Sequence, residues 1–327
     1  MGHGRQRDMT QYLLRRAAIL LVSLLLAMLA IFILLRALPG DPANALLSVQ
    51  ATPEQIAAAR AQVGADQPIL EQLVDWFRGM VTLDFGNSFI STLPVAPEIA
   101  SRLAVTVPLT LLAFGLAFVL SLAVGFIAAY KSDRWYGVAL SAFSQLAIAV
   151  PAFWVGILLV GAFALNLRVF PAGGFPREGW SDPGAALHHL ALPVLTVALV
   201  MTGSLARYVR SATLDVLGSD YLRNARAMGS TMGTAMLRHG LRNGAIPVIS
   251  ILGIELATAF LGAVVVEAVF ALPGLGSMLL KAIAQHDYPN MQGILFVSTL
   301  AVLIVGFIAD IAQRLVDPRL RHSAGTS

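Results

Sequence analysis

Ala17-Ala-Ile-Leu-Leu-Val-Ser-Leu-Leu-Leu-Ala-Met-Leu-Ala-Ile-Phe-Ile-Leu-Leu35 carries no charge, and a helix needs roughly 20 such residues to cross the hydrocarbon of a bilayer. The same signal recurs along the chain. Residues 103–130, 135–167, 190–206 and 288–309 are uncharged, and residues 246–270 are interrupted only by Glu255 and Glu267. No water reaches the bilayer core to satisfy backbone N–H and C=O groups, so runs of this length are expected to be helices. Strand-like alternation for a barrel is absent. The composition agrees: 57% hydrophobic and 12% charged residues with a mean hydropathy of +0.76, where a soluble domain carries about 25% charged residues. The fold class implied is an all-α membrane protein of about six transmembrane helices.

The basic residues set an expected orientation. With the N-terminus cytoplasmic, the inside segments hold Arg5, Arg7, Arg15, Arg16, Lys131, Arg134, Arg207, Arg210, Arg223, Arg226, Arg238, Arg242, Arg314, Arg319 and Arg321, which is most of the 22 Lys and Arg. The short segments carry this decision under the positive-inside rule. Both termini then face the cytoplasm. The pI near 9.8 is explained by this asymmetry without a nucleic-acid partner. Arg15 and Arg16 before the first run and Ala43-Asn-Ala45 after it resemble a secretory signal. The uncharged core exceeds the ~7–15 residues of such signals, and an uncleaved first span is expected. The absence of cysteine means that no disulfide staples the outer loops.

These signals divide the chain into a cytoplasmic N-terminus (1–11), a first span (12–38), an extracytoplasmic cap segment (39–101), a five-helix core (102–313) containing a cytoplasmic loop (207–244), and a cytoplasmic tail (314–327). The cap segment is expected to be ordered. Thr52-Pro-Glu-Gln55 offers an N-cap, a proline at the first helical position and a capping-box partner, with Gly64 as a stop. A second short helix opens at Asp66 or Gln67 with Pro68, takes its apolar face from Ile69, Leu70, Leu73, Trp76 and Phe77, and closes at Gly79. Its amphipathic surface suits either packing on the outer ends of the spans or docking of an extracytoplasmic partner. An outside loop over 168–189 is rich in Pro and Gly.

The only sizeable inside connection is 207–244, so a cytoplasmic partner has to bind there. Within it Ser219 or Asp220 is a suitable N-cap and Gly229 a suitable C′ residue, which brackets one short helix. So short a helix is marginal in water unless something packs on it.

That segment resembles the cytoplasmic signature of the permease subunits of binding-protein-dependent ABC importers, a short helix beginning Glu-Ala-Ala with glycine at its seventh position. Here Arg223, Asn224 and Ala225 fill the first three places and Gly229 the seventh. Asp220-Tyr-Leu-Arg-Asn-Ala-Arg-Ala-Met-Gly229 and Arg238-His-Gly-Leu-Arg-Asn243 are similar to the version in the dipeptide, oligopeptide and nickel branch. So are Pro39-Gly-Asp-Pro42, Asp84-Phe-Gly-Asn-Ser88, Arg102-Leu-Ala-Val-Thr106, Glu267-Ala-Val-Phe-Ala-Leu-Pro-Gly-Leu-Gly276 and Asp317-Pro-Arg319. His286-Asp287 stands where the branch usually has Arg-Asp, and no role of that arginine is carried over.

The resemblance implies a type I ABC importer permease fold in a bacterial inner membrane and import of dipeptides or oligopeptides, with a nickel chelate or other small solute as the alternative cargo. It implies coupling to the ATPase through Asp220, Tyr221, Arg223, Ala225, Arg226, Gly229, His239 and Arg242. The expected partners are a second related permease, two cytoplasmic ATPases that hold ATP and Mg, an extracytoplasmic peptide-binding protein, and membrane lipid.

The residues themselves carry no catalytic machinery. A P-loop needs Gly-x-x-x-x-Gly-Lys-Ser/Thr, and the only lysines, Lys131 and Lys281, follow Tyr130 and Leu280. A zinc-protease helix needs two histidines four apart, whereas His188 and His189 are adjacent and are expected in the outer loop without a third metal ligand. No Gly-x-Ser-x-Gly elbow occurs. Neither a catalytic site, a metal site nor a cofactor is expected in this chain, which leaves a stand-alone secondary transporter as the weaker rival. Such a transporter needs coupling-ion groups at mid-membrane, and Glu255 is the one deep acid. Its expected role is either a substrate-path charge or an interhelical hydrogen bond.

Overall fold

A computed structural model describes residues 2–37, 52, 54 and 66–316. Its helices are α1 (Gly2–Ala37), α2 (Ile69–Thr82), α3 (Val95–Tyr130), α4 (Trp135–Ala149), α5 (Ala152–Leu159), α6 (Pro183–Leu217), α7 (Asp220–Ala227), α8 (Met232–Ala235), α9 (Leu241–Val269), α10 (Leu275–Gln285) and α11 (Tyr288–Val316). π-helical segments follow α5 at Val160–Asn166 and precede α9 at Met236–Gly240. Among the described residues the sole extended pairing is an isolated bridge between Asn87 and Pro94.

Among the described residues five helices are long and apolar enough to cross a membrane, and α4 with the α5 segment forms a sixth apolar stretch of spanning length, bent by 107°. The outward surfaces stay apolar. Along α1, Leu21, Leu25 and Leu26 are more than half exposed, a surface that suits hydrocarbon and not water.

The break corrects the expectation of one unbroken span over 135–167. Pro151 has no N–H to continue the ladder, and it forces the residue before it out of helical geometry. Val150 accordingly takes φ −87° and ψ 126°. Helix α6 differs in the other direction. It runs unbroken through Arg207 to Leu217, so the connection expected from residue 207 leaves the helix only at Gly218. At 1.5 Å per residue its 35 residues measure roughly 52 Å, well beyond a ~30 Å hydrocarbon core. Its start is set by Asp182, whose carboxylate accepts from the Ala185 N–H at 3.0 Å, with Pro183 behind it.

The chain divides into two compact units. One comprises Met1–Leu14, Val107–Ala271 and Val305–Ser327; the other comprises Arg15–Thr106 and Leu272–Ile304. In the first, α6 is the hub, with Leu190, Leu192, Ala198 and Leu205 fully buried against α4, α5 and α9. Small residues make this possible, as is usual where helices pack within lipid. A Cβ placed on Gly203 would lie 2.5 Å from the Ala147 Cβ and 3.0 Å from the Ser144 carbonyl oxygen. Gly203→Ala is therefore expected to force α4 and α6 apart and lower the melting temperature of the purified chain, by an amount equivalent to about 1–3 kcal/mol. Adding Ala147→Gly should restore most of the loss. A Gly203→Ala variant as stable as the parent overturns this account.

The second unit joins α2 to the end of α1. Trp76 packs on Phe32 with ring centroids 5.7 Å apart, and the Arg36 guanidinium lies over the same ring. Helix α2 outlasts its expected stop at Gly79. Leu83 takes a left-handed φ of 58°, while its N–H and that of Asp84 return to the carbonyls of Met80 and Gly79, so Gly79 supplies the carbonyl that closes the last turn.

The helix expected over 52–64, and the motifs at 39–42 and 317–319, lie outside the described residues apart from Thr52 and Glu54. There the backbone N–H of Glu54 and the Thr52 hydroxyl hold the Glu54 carboxyl below its ordinary value, as at a helix N-terminus. Helix α10 is a separate element between the last two spans. It is amphipathic, burying Leu275, Met278 and Ala282, and ends with His286 in the left-handed region at φ 56°.

Candidate functional site: a short helix propped between two spans

Helix α7 has eight residues, too few to persist alone. Its support is internal. Leu222 and Ala225, three apart on one face, are 1% and 3% exposed and join Val216 from α6 and Ala235 from α8, with Leu217, Met232 and Met236 packed around them. Both ends are built as the sequence suggests, with one difference. Ser219 has the N-cap backbone conformation (φ −76°, ψ 147°), yet its hydroxyl makes no cap bond and donates back to the Val216 carbonyl at 2.6 Å. Asp220 supplies the negative charge of the first turn instead and is ion-paired with Arg223, both side chains being largely exposed.

The C-terminus is a Schellman motif. The Ser230 N–H donates to the Ala225 carbonyl and the Gly229 N–H to that of Arg226, with Gly229 at φ +90°. A side chain there would be strained, which is why glycine occupies C′.

The eight sequence-selected residues therefore separate. Tyr221, Arg223 and Arg226 are exposed, together with Asn224, Ala227 and Met228, the last at 82%. They form the outward face. Ala225 does not belong to it: the i, i+3 pairing with Leu222 turns its methyl into the chain's own core. Gly229 acts through the backbone. His239 falls in the π segment and Arg242 in the first turn of α9, and their side chains lie outside the described part. Leu222 was not singled out from sequence, although its spacing from Ala225 on an otherwise polar helix is the signal that locates the buried face.

The end of α3 comes to the same place. Tyr130 lines a cavity with Val216, Met232 and Gly240, so the 131–134 turn and the 218–240 connection lie at the same end of this unit. At the other end, the 168–182 loop is pinned by histidines, which sit within α6 and not in the loop as expected. His188 Nε2 lies 3.0 Å from the Val169 carbonyl oxygen, and His189 Nδ1 lies 3.1 Å from that of Gly174. Among the described residues no group of three His, Cys, Asp or Glu is placed to hold a metal ion. Glu255 of α9 is half-buried, and Ser204 of α6 donates to its Oε1 at 2.5 Å, an interhelical hydrogen bond.

In the second unit, two motifs that sequence reasoning left unconnected meet. Asp287 is 2% exposed and accepts from Ser88 Oγ at 2.5 Å, from the Phe89 N–H at 3.1 Å and from Asn290 Nδ2 at 2.7 Å. Ser88 Oγ in turn accepts from the N–H groups of Ile90 and Ser91. No local spacing links residues 199 apart.

Among the described residues, five long apolar helices, one bent apolar pair and a short capped helix propped between two spans make up a helical membrane-protein architecture. The chain belongs to the binding-protein-dependent transport system inner membrane component family: that family's model matches residues 121–322, and the model of its N-terminal part matches residues 9–110. A putative peptide transport system permease protein of Brucella abortus (strain 2308) is 35% identical over 314 residues, 96% of this chain and 100% of that protein. The glutathione transport system permease protein of Escherichia coli (strain K12) is 33% identical over the same shares. Among solved structures, a chain of the MetNI methionine ABC transporter in an inward-facing conformation aligns with a TM-score of 0.57 and 17% identity, covering 67% of this chain and 96% of that one. It shows the shared fold. A chain of an amino acid ABC transporter gives 0.50 at 15% identity. The chain is thus a transport component of an ABC importer, and not an enzyme.

Proposed function

We propose that this chain forms half of the route by which an ATP-driven importer carries dipeptides or oligopeptides inward, and that α7 is where a cytoplasmic ATPase acts on it. The observation that carries the reading is the split of α7 into a face rooted in the chain's own core and a face left outward. A helix held in this way transmits a push to α6, through Val216, and to α9, through the π segment. Moving a two-state pathway from ~1:99 to ~99:1 takes about 5.5 kcal/mol of differential binding, which sets the scale that ATP bound with Mg in the partner has to bias. One chain offers one such helix to an ATPase pair, so a second related permease completes the route, with an extracytoplasmic binding protein delivering cargo. Both termini are cytoplasmic in this arrangement. Peptide cargo is supported by the relatives' names, and Glu255, tied to Ser204, serves first as a link between α6 and α9.

The test is reconstitution. Purified under mild conditions, the chain should bring down two ATPase chains and a second permease, and proteoliposomes of the assembly should take up labelled dipeptide only with ATP, Mg and the binding protein. Uptake by the chain alone, driven by an ion gradient, overturns the proposal.

A further inference from the structure

Beside the footing of α7 lies a cavity of about 570 Å³, within the 300–1,000 Å³ range of ligand pockets. Its walls come from the last turns of α3, the end of α6, α8 with its π segment, and the start of α9. Aromatic rings of Phe126 and Tyr130, stacked 5.7 Å apart and 6° from parallel, form one wall; Met232 and Met236 form another. Thr213 brings a hydroxyl to the lining, whose proton is given to the Val209 carbonyl of its own helix at 2.7 Å. A peptide, with amides and charged ends, would find too few partners among these walls, whereas a hydrocarbon chain needs none.

The surroundings say which hydrocarbon. Tyr130 carries the Lys131 ammonium 5.0 Å from its ring centroid. The turn that follows adds exposed Arg134 and Trp135, the latter 81% exposed, with Asp133 the one opposing charge. Tyr, Trp and basic residues together at a helix end mark the headgroup level of a bilayer, and basic residues there favour anionic lipid. We infer that this cavity binds one acyl chain of an anionic phospholipid whose headgroup rests on Lys131 and Arg134. The site shares Val216, Met232 and Met236 with the cluster under α7, so the lipid chain packs against the support of that helix.

The full chain with its co-purifying partners, in nanodiscs of phosphatidylcholine doped with phosphatidylglycerol bearing a diazirine in its acyl chain, tests this. Illumination and peptide mapping should label the peptides holding Phe126 and Met232 several-fold above the exposed α1 stripe at Leu21 and Leu25. Photoreactive phosphatidylcholine should label the same peptides less. Lys131→Gln, at an exposed position, should remove the difference between the two lipids. Gly233→Leu, placed where an added Cβ meets nothing within 4 Å, should fill the space and lower labelling there with α1 unchanged. Labelling no higher than on α1, or undiminished by Gly233→Leu, overturns the inference. So does labelling seen in the isolated chain that disappears in the assembly, since another polypeptide then fills the cavity.

Discussion

Ala225→Asp is expected to unfold α7 and abolish uptake, whereas Met228→Asp, three residues on, is expected to leave α7 folded and weaken its hold on the ATPase. The two positions differ in where their side chains go. Ala225 is 3% exposed among Val216, Leu222 and Ala235, so an aspartate there is a buried charge without a partner, which costs about 3–5 kcal/mol. An eight-residue helix has nothing else to offset that loss. Hydrogen exchange should show it directly: the amides of Arg223, Met228 and Ser230, bonded to the carbonyls of Ser219, Asn224 and Ala225, should lose protection.

Met228 is 82% exposed, and a surface change of this kind alters stability by only about 0.5 kcal/mol. If the outward face is the ATPase contact, a carboxylate at its edge should still weaken association about tenfold, which is ~1.4 kcal/mol, and uptake should fall in step. Protection in α7 should be unchanged. A Met228→Asp variant that keeps both ATPase association and uptake, alongside the same result for Arg226→Glu, removes the outward face from the coupling path.

The contrast also shows what kind of information the sequence holds. Long apolar runs, and the caps around α7, are local signals, and the positions of the spans and the C′ role of Gly229 follow from them directly. The bend at Pro151 was local as well, yet it was masked by hydrophobicity: residues 135–167 are apolar on both sides of the break, and hydropathy does not distinguish one straight span from two bent helices. Helix α6 outruns its apolar stretch for the opposite reason. Arg207 and Arg210 end its apolar run, but charge stops a span and not a helix, and Leu217 is the last residue before Gly218 and the Ser219 cap. What the sequence did not disclose at all was the meeting of distant polar residues. Ser88, Asp287 and Asn290 each look like ordinary loop or helix-end residues, and only the fold brings them together.

That meeting carries the second large expectation. Asp287→Ala should destabilise the second unit by about 3–5 kcal/mol, because a buried polar group deprived of its charged partner bears its full desolvation cost. Three donors lose their acceptor at once: Ser88 Oγ, the Phe89 N–H and Asn290 Nδ2. The loss should be visible as a lowered melting temperature and as new protease cleavage between Leu83 and Val95, the turn that Ser88 ties to the start of α11. Asp287→Asn is the informative companion. Its amide oxygen still accepts from Ser88 or Phe89, but its NH₂ has to face one of the remaining donors, so an intermediate loss is expected. Ser88→Ala should cost less than Asp287→Ala, since Asp287 keeps two donors and only the Ile90 and Ser91 amides bonded to Ser88 Oγ are released. The ordering that places Asp287→Ala above both Asp287→Asn and Ser88→Ala follows from the number of donors left without an acceptor. Equal stabilities for Asp287→Ala and Ser88→Ala refute it, because a merely space-filling role for Asp287 predicts no such ranking.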